Sequence, residues 1–248
     1  FSDGGKFDSL DAALFHAEEM VNQGADILDV GGESTRPGHI QITEDEEIAR
    51  VTPVIEQLKK RFDVPVSIDT YKSRVAEAAL QSGADLVNDI WGLKYDENMA
   101  EVIARHQAAC CLMQNREQID YTDYVEDVLD DLRESVQIAK AADIPDDRIM
   151  LDPGVGFGKT YEMNLEIIRV VGRLKELGYP VLLGTSRKSV IGLTLDLPAD
   201  QREEGTLVTT VLGVEQGCSF VRVHDVETNA RAIRMAEAIF REHDLAVR

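Results

Sequence analysis

Short apolar runs alternate along this chain with longer stretches whose apolar residues recur every three or four positions. One unit repeats: an amphipathic stretch, a glycine, a short apolar run, then polar residues. Asn22-Gln-Gly-Ala-Asp-Ile-Leu-Asp-Val30, Gln81-Ser-Gly-Ala-Asp-Leu-Val-Asn-Asp89, Leu177-Gly-Tyr-Pro-Val-Leu-Leu-Gly184 and Gln216-Gly-Cys-Ser-Phe-Val-Arg-Val223 are instances. The glycines read as helix C-terminal caps, and the runs after them as strands buried on both faces. This predicts seven strands, near 25–31, 64–70, 85–90, 109–114, 149–153, 180–185 and 219–224. Helices are predicted over 8–23, from the capping box Thr43-Glu-Asp-Glu46 onward, and near 73–82, 96–107, 122–142, 162–177, 201–216 and 227–242. Alternating helices and buried strands imply an α/β fold with a parallel sheet. An open sheet and a closed (β/α)8 barrel both satisfy the pattern. In a barrel, the count would leave the first strand absent from the chain and expected upstream of Phe1. No linker or shift in composition interrupts the chain, so residues 1–248 are expected to form one domain.

Charge narrows the partners. The net charge is −20, which disfavours nucleic acid and anionic membrane and obliges any anionic ligand to find a local cluster of cations. No run of about 18 apolar residues and no secretory signal pattern occurs. Cys110, Cys111 and Cys218 have neither disulfide-framework nor zinc spacing and read as reduced thiols of a cytoplasmic protein. The histidines form no metal-ligand cluster.

In parallel α/β folds the ligand lies at the carboxyl ends of the strands. Three predicted strands end in Asp69, Asn88 and Asp152, acceptors suited to a flat heterocycle rich in N–H donors. Arg36, Arg187, Lys188, Arg222 and His224 follow strands too and suit phosphate or carboxylate. Arg222 and His224 lie two apart, on one face of a strand. A ligand with a polar ring at one end and phosphates at the other would satisfy both sets. Single acidic residues after strands also serve as helix caps, a reading open for Asp89 and Asp225. Ser189 opens an apolar helix, either receiving an anion there or acting as its N-cap. Asp152-Pro-Gly-Val-Gly-Phe-Gly-Lys-Thr160 ends like a Walker A loop but has Pro153 where that loop needs glycine. It reads as a glycine-rich turn that lets backbone approach a ligand.

Phe1-Ser-Asp-Gly-Gly5, Gly31-Gly-Glu-Ser-Thr-Arg-Pro-Gly38, Ser67-Ile-Asp-Thr70, Asn88-Asp-Ile90, Asp152-Pro-Gly-Val-Gly-Phe-Gly158, Ser186-Arg-Lys-Ser189 and Arg222-Val-His-Asp225 resemble, in order, the motif set of the dihydropteroate synthases. The resemblance implies a TIM barrel. It also implies a cytoplasmic transferase of folate biosynthesis, of the kind sulfonamides target. Such an enzyme joins 6-hydroxymethyl-7,8-dihydropterin pyrophosphate to p-aminobenzoate, giving 7,8-dihydropteroate and pyrophosphate. By the same resemblance Asp69, Asn88, Met113, Asp152 and Lys188 hold the pterin. Thr35, Arg36, Arg222 and His224 hold the pyrophosphate, and Pro37, Phe157, Arg187 and Ser189 frame p-aminobenzoate. Asp69, Lys188, Arg222 and His224 are the residues it makes catalytic. The resemblance further implies Mg2+ on the pyrophosphate, a homodimer, and a dissociative substitution in which pyrophosphate leaves before the amine attacks.

The chain departs from the family pattern in two ways. The family's first strand is absent, and with it an Asn associated with metal and pyrophosphate. Gln114 stands where many members have His. Two alternatives are a pterin-binding methyltransferase and a non-catalytic folate-binding barrel. The cation cluster speaks against both, since neither expels pyrophosphate.

Overall fold

The computed structural model describes residues 9–34 and 41–240. All seven predicted strands are present, as β1 (Leu28–Val30), β2 (Val66–Asp69), β3 (Leu86–Asp89), β4 (Ala109–Met113), β5 (Ile149–Asp152), β6 (Leu182–Leu183) and β7 (Phe220–Val221). Helices separate them: α1 (Leu10–Gln23), α2 (Glu44–Arg61), α3 (Ser73–Gln81), α4 (Met99–Arg105), α5 (Tyr124–Ala141), α6 (Tyr161–Arg169), α7 (Ser189–Leu195), α8 (Glu203–Glu215) and α9 (Val226–Phe240). Neighbouring strands run parallel in chain order from β1 to β5, a parallel bridge from Leu151 to Val181 leads on, and β6 pairs with β7. Every strand is thus followed by a helix on its way to the next, and α1 meets α9 to bring the ends of the array together. Among the described residues β7 and β1 do not pair with each other. A strand before Phe1 lies outside the described residues.

Strand alternation sorts the interior. Leu28, Val66, Ile68, Val87, Leu112 and Leu151 point outward into the main core, where Leu14, Val51, Ile55, Leu129 and Leu132 of the helices cover them. Their alternates point inward, and Leu86, Cys111 and Met150, with Leu182 and Phe220, make an apolar floor. Burying each such aliphatic side chain is worth about 1.5–3 kcal/mol, so a one-residue slip of any strand would be prohibitive.

The Thr43 capping box forms: the Thr43 hydroxyl accepts from the Glu46 N–H, and the Glu46 carboxylate accepts from the Thr43 N–H. All three cysteines are free, with Cys110 and Cys111 buried. Burial pushes the Cys110 thiol up to about 12, which keeps it inert.

Two predicted elements differ. The helix expected over 162–177 is interrupted: α6 ends at Arg169 and a tighter 3-10 segment runs Val171–Leu177. The Gln216 side chain supports the break. Its amide donates to the Ile168 carbonyl at 3.1 Å and accepts from the Gly172 N–H at 3.0 Å, so groups freed by the break stay satisfied. The strand expected over 219–224 pairs only over Phe220–Val221. Beyond it the His224 N–H donates to Ser186 Oγ at 3.2 Å instead of continuing a ladder. Arg222 and His224 are therefore not two steps of one paired strand.

Candidate functional site

The alternation that sends Ile68, Val87 and Leu151 outward turns Asp69, Asn88 and Asp152 inward, above the apolar floor. Register sets Asp69 and Asn88 level and Asp152 one inward position, two residues, further along its strand. Asp69 lies beside Asn88, Asn88 beside Cys111, and Met113 beside Asp152. Asn88 Nδ2 donates to Asp69 Oδ1 at 3.1 Å, which leaves the Asn88 carbonyl oxygen facing the interior. The Gly154 N–H donates to Asp152 Oδ1 at 2.7 Å, which leaves Asp152 Oδ2. Asn88 Oδ1 and Asp152 Oδ2 are both buried without a hydrogen-bond partner in the protein. Each such atom costs about 1–3 kcal/mol unless something donates to it, so the tier is suited to a ligand bearing N–H groups.

Arg222 reaches the same tier. Its Nη1 donates to Asp29 Oδ2 at 3.1 Å and lies 3.7 Å from Asp69 Oδ2. Gly184 leaves open the space a side chain would fill, about 3.6 Å from Arg222 Nε and 3.7 Å from Asp152 Oδ2. Burial works against the charge on Arg222, but Asp29, Asp69 and Asp152 outweigh it and hold the guanidinium above its ordinary value. Burial, reinforced by the charge of Asp29, pushes the Asp69 carboxyl up to about 7, against the pull of Arg222 and Asn88.

The glycine-rich turn after β5 makes one wall. Gly154 and Gly158 both have positive φ, and a Cβ at either would overlap a carbonyl oxygen, that of Gln114 or of Arg116. Only glycine permits this approach. The turn presents the Val155 carbonyl, to which Lys188 Nζ donates, and the Phe157 ring, over which that ammonium sits at 4.8 Å. Burial lowers Lys188 to about 8, opposed by the charge of Asp152. Behind the turn, Lys159 Nζ donates to Gln114 Oε1 and to the Phe157 carbonyl. Burial lowers Lys159 to about 7, with Asp152 opposing. Gln114 Nε2 in turn donates to Asp131 Oδ2 at 2.8 Å, which Arg116 also holds.

Other expected residues fall nearby. His224 Nδ1 and Ser186 Oγ share a hydrogen bond of 2.8 Å. Arg187 has a left-handed backbone, φ 57°, and its N–H donates to Thr206 Oγ1 at 3.2 Å. Its charge acts on Glu203, a half-buried carboxyl that burial raises. Lys188, not Ser189, occupies the cap position of α7; Ser189 is its first helical residue and is exposed. Asp89 is not a helix cap either: it accepts from the Trp91 and Leu93 N–H groups in a turn, and burial pushes it up to about 6. Asp225 does cap α9, accepting from the Thr228 N–H at 3.1 Å. Thr35, Arg36 and Pro37 lie outside the described residues.

Three participants were not singled out by sequence. Asp29 carries the same signal as Asp69, an inward acid at a strand end. Lys159 stands in the sequence only as the lysine of an incomplete Walker A pattern. Glu33, beside a segment rich in assigned residues, accepts from Tyr71 Oη at 2.6 Å, Lys72 Nζ at 2.7 Å and the Ile42 N–H at 2.8 Å. It thereby ties the residues on either side of 35–40 to the end of β2.

Residues 1–224 match the family described as pterin binding enzyme. The chain is 57% identical to the dihydropteroate synthase of Clostridium beijerinckii, over 97% of this chain and 90% of that protein. The chain belongs to the dihydropteroate synthase family. It is 53% identical to the Bacillus subtilis member, over 96% of this chain and 84% of that protein. The crystal structure of the family member from Clostridium difficile, obtained in the presence of pteroic acid, superposes with a TM-score of 0.93. The two are 53% identical, with 98% of this chain and 92% of that one covered. The Yersinia pestis dihydropteroate synthase, crystallised with a sulfonamide drug, gives a TM-score of 0.93 at 38% identity, over 96% and 88% of the two chains. Family membership makes this chain a transferase of folate biosynthesis with a TIM-barrel fold, and sets aside the methyltransferase and non-catalytic alternatives. Among the described residues, no helix is long and apolar enough to cross a membrane.

Proposed function

We propose that residues 1–248 act as one pterin-binding barrel domain, with the inward tier as its pterin site. In this reading Asp69, Asn88, Asp152 and Lys188 take the polar edge of the ring and Met113 lies against its face. Arg222 and His224, with Thr35 and Arg36, grip the pyrophosphate. Phe157, Arg187 and Ser189, with Pro37, frame p-aminobenzoate. The observation that carries it is the pair of unpartnered buried acceptors, Asn88 Oδ1 and Asp152 Oδ2, next to Arg222. A dihydropterin supplies N–H donors for both acceptors and its pyrophosphate an anion for Arg222.

The chemistry follows. The bond from the exocyclic methylene to the pyrophosphate oxygen breaks, and the electron pair leaves with the oxygen. Arg222 and Lys188, cationic in a site of low polarisability, stabilise that departing charge. Asp69 as carboxylate faces the positive charge left on the pterin. The amine of p-aminobenzoate then forms the new C–N bond and loses a proton. No side chain forms a covalent intermediate. Sulfonamides, bound by the Yersinia pestis relative, would occupy the p-aminobenzoate subsite here.

Among the described residues no three His, Cys, Asp or Glu side chains converge as a metal site. They do not form a cage for Mg2+, so an ion would arrive coordinated mainly by pyrophosphate oxygens, as Mg2+ favours. No step above depends on it. A homodimer fits the neighbouring helices α6, α7 and α8, which expose Leu165, Leu193, Leu195 and Val208, the last 69% accessible. The test of the reaction is pyrophosphate release. With dihydropterin pyrophosphate, addition of p-aminobenzoate should speed release and give dihydropteroate in equal amount, and the rate should fall about hundredfold or more in Asp152→Ala. Release that p-aminobenzoate does not speed, with no dihydropteroate formed, would contradict the reading.

A further inference from the structure

Asp29 has no part in the reaction described above, yet it accepts a hydrogen bond of 3.1 Å from the arginine on which that reaction leans. It lies in β1, and its alternate Leu28 points into the outer core, so its carboxylate faces inward. Arg222 follows β7, the strand at the other end of the array. The pair crosses between two strands that do not hydrogen-bond to each other among the described residues.

One guanidinium is thus shared by two carboxylates of different character. Asp69, only 5% exposed, is held by Asn88 and cannot turn to solvent. The Asp29 side chain is 27% accessible, and among the described residues Arg222 is its only hydrogen-bond partner. Water can therefore take over the Asp29 carboxylate at low cost when another anion claims Arg222, whereas Asp69 has no such escape.

We propose that Asp29 is an exchangeable counter-ion for Arg222. It aims the guanidinium toward β1 while no pyrophosphate is bound, yields it to the pyrophosphate, and reclaims it when the product leaves. Asp29 is in this sense a positioning residue whose charge weakens the grip on pyrophosphate. Charge agrees. Among the described residues Asp29 is one of the acids acting on Arg222, so removing it would leave the guanidinium less neutralised and more attractive to an anion. The inference rests on the reading that Arg222 grips pyrophosphate.

The test is binding of inorganic pyrophosphate to the full chain by titration calorimetry, with KM for p-aminobenzoate as the internal control. Asp29→Asn keeps the shape and removes the charge. It should bind pyrophosphate roughly fivefold tighter, the scale of one partly exposed ion pair, and leave that KM within about twofold. A residue that merely held the arginine in place would give the opposite sign, so unchanged or weaker binding in Asp29→Asn overturns the proposal. Arg222→Ala separates the two levels. If it fails to weaken pyrophosphate, the underlying reading is wrong; if it weakens pyrophosphate while Asp29→Asn does not tighten it, only the counter-ion role is wrong. Should Asp29→Asn not fold, a crystal structure of the unaltered chain with pyrophosphate decides. Separation of Arg222 from Asp29 beyond about 4 Å supports the exchange, and an intact pair overturns it.

Discussion

Asp69 shows how one residue can be costly and useful at once. Its carboxyl, raised to about 7, retains a proton that the unfolded chain, titrating near 3.8, has already released. Below the lower value both states are protonated and the group is neutral in stability. As pH rises through this window the native state binds more protons than the unfolded one, so stability declines. Asp69→Asn is therefore expected to stabilise the fold at pH 8 by about 1–3 kcal/mol and hardly at all near pH 4, measured by urea unfolding at both. Function should move the other way. Pterin N–H groups need the carboxylate, so affinity in the unaltered protein should rise as pH approaches 7 and be flat in Asp69→Asn over the same range, below the value of about 8 at which Lys188 loses its charge. Titration of the ligand across pH 5.5–7.5 checks this. A flat profile in the unaltered chain would mean that Arg222, Asn88 and Asp29, the groups facing Asp69, fix its charge already.

At the scale of elements, the turn between β5 and α6 is the piece on which most of the site depends. It carries the Val155 carbonyl and Phe157 ring that hold Lys188, and Lys159 anchors it from behind to Gln114. Its fit against residues 114–116 requires glycine at 154. Gly154→Ala combines a left-handed backbone with overlap of a carbonyl oxygen, and should cost about 3 kcal/mol or more and lower activity with it. Gly178→Ala is the control. Its φ of 83° is also left-handed, but nothing lies within 4 Å of the new Cβ, so about 1 kcal/mol is expected with activity retained. Melting temperatures and turnover of the two variants separate backbone strain from steric overlap.

For the whole molecule, the apolar floor and the helix layer divide the labour. Leu86, Cys111 and Met150 close the interior beneath the polar tier, while outward residues bind strands to helices. Ligand and subunit surfaces are then left at different places: the carboxyl ends of the strands, and the outer face of α6, α7 and α8. If that face joins two copies, Val208→Lys places a charge in each half of a symmetric interface. It should weaken association about hundredfold or more, and sedimentation at micromolar concentration should report a monomer. Sedimentation unchanged by the substitution would assign the interface elsewhere.

What sequence alone determined was whatever depends on period and on nearest neighbours. The seven strands, most helices, the Thr43 cap and the inward phase of Asp69, Asn88 and Asp152 all follow from alternation and from local hydrogen bonding, which a chain carries within a few residues. The motif set added the family, because its spacing runs the length of the chain. Tertiary structure decided what depends on distant partners and on burial. Arg222 and Asp29 are 193 positions apart, and no pattern in either segment announces that they meet. The break after α6 rests on Gln216, 48 residues beyond Ile168, and Lys159 gains its place only once the glycine-rich turn folds onto Gln114. The raised carboxyl of Asp69 and the lowered amine of Lys188 belong to the same class. Residue type sets the ordinary value of a charge, but only the assembled interior, by excluding water and bringing other charges close, sets the actual one.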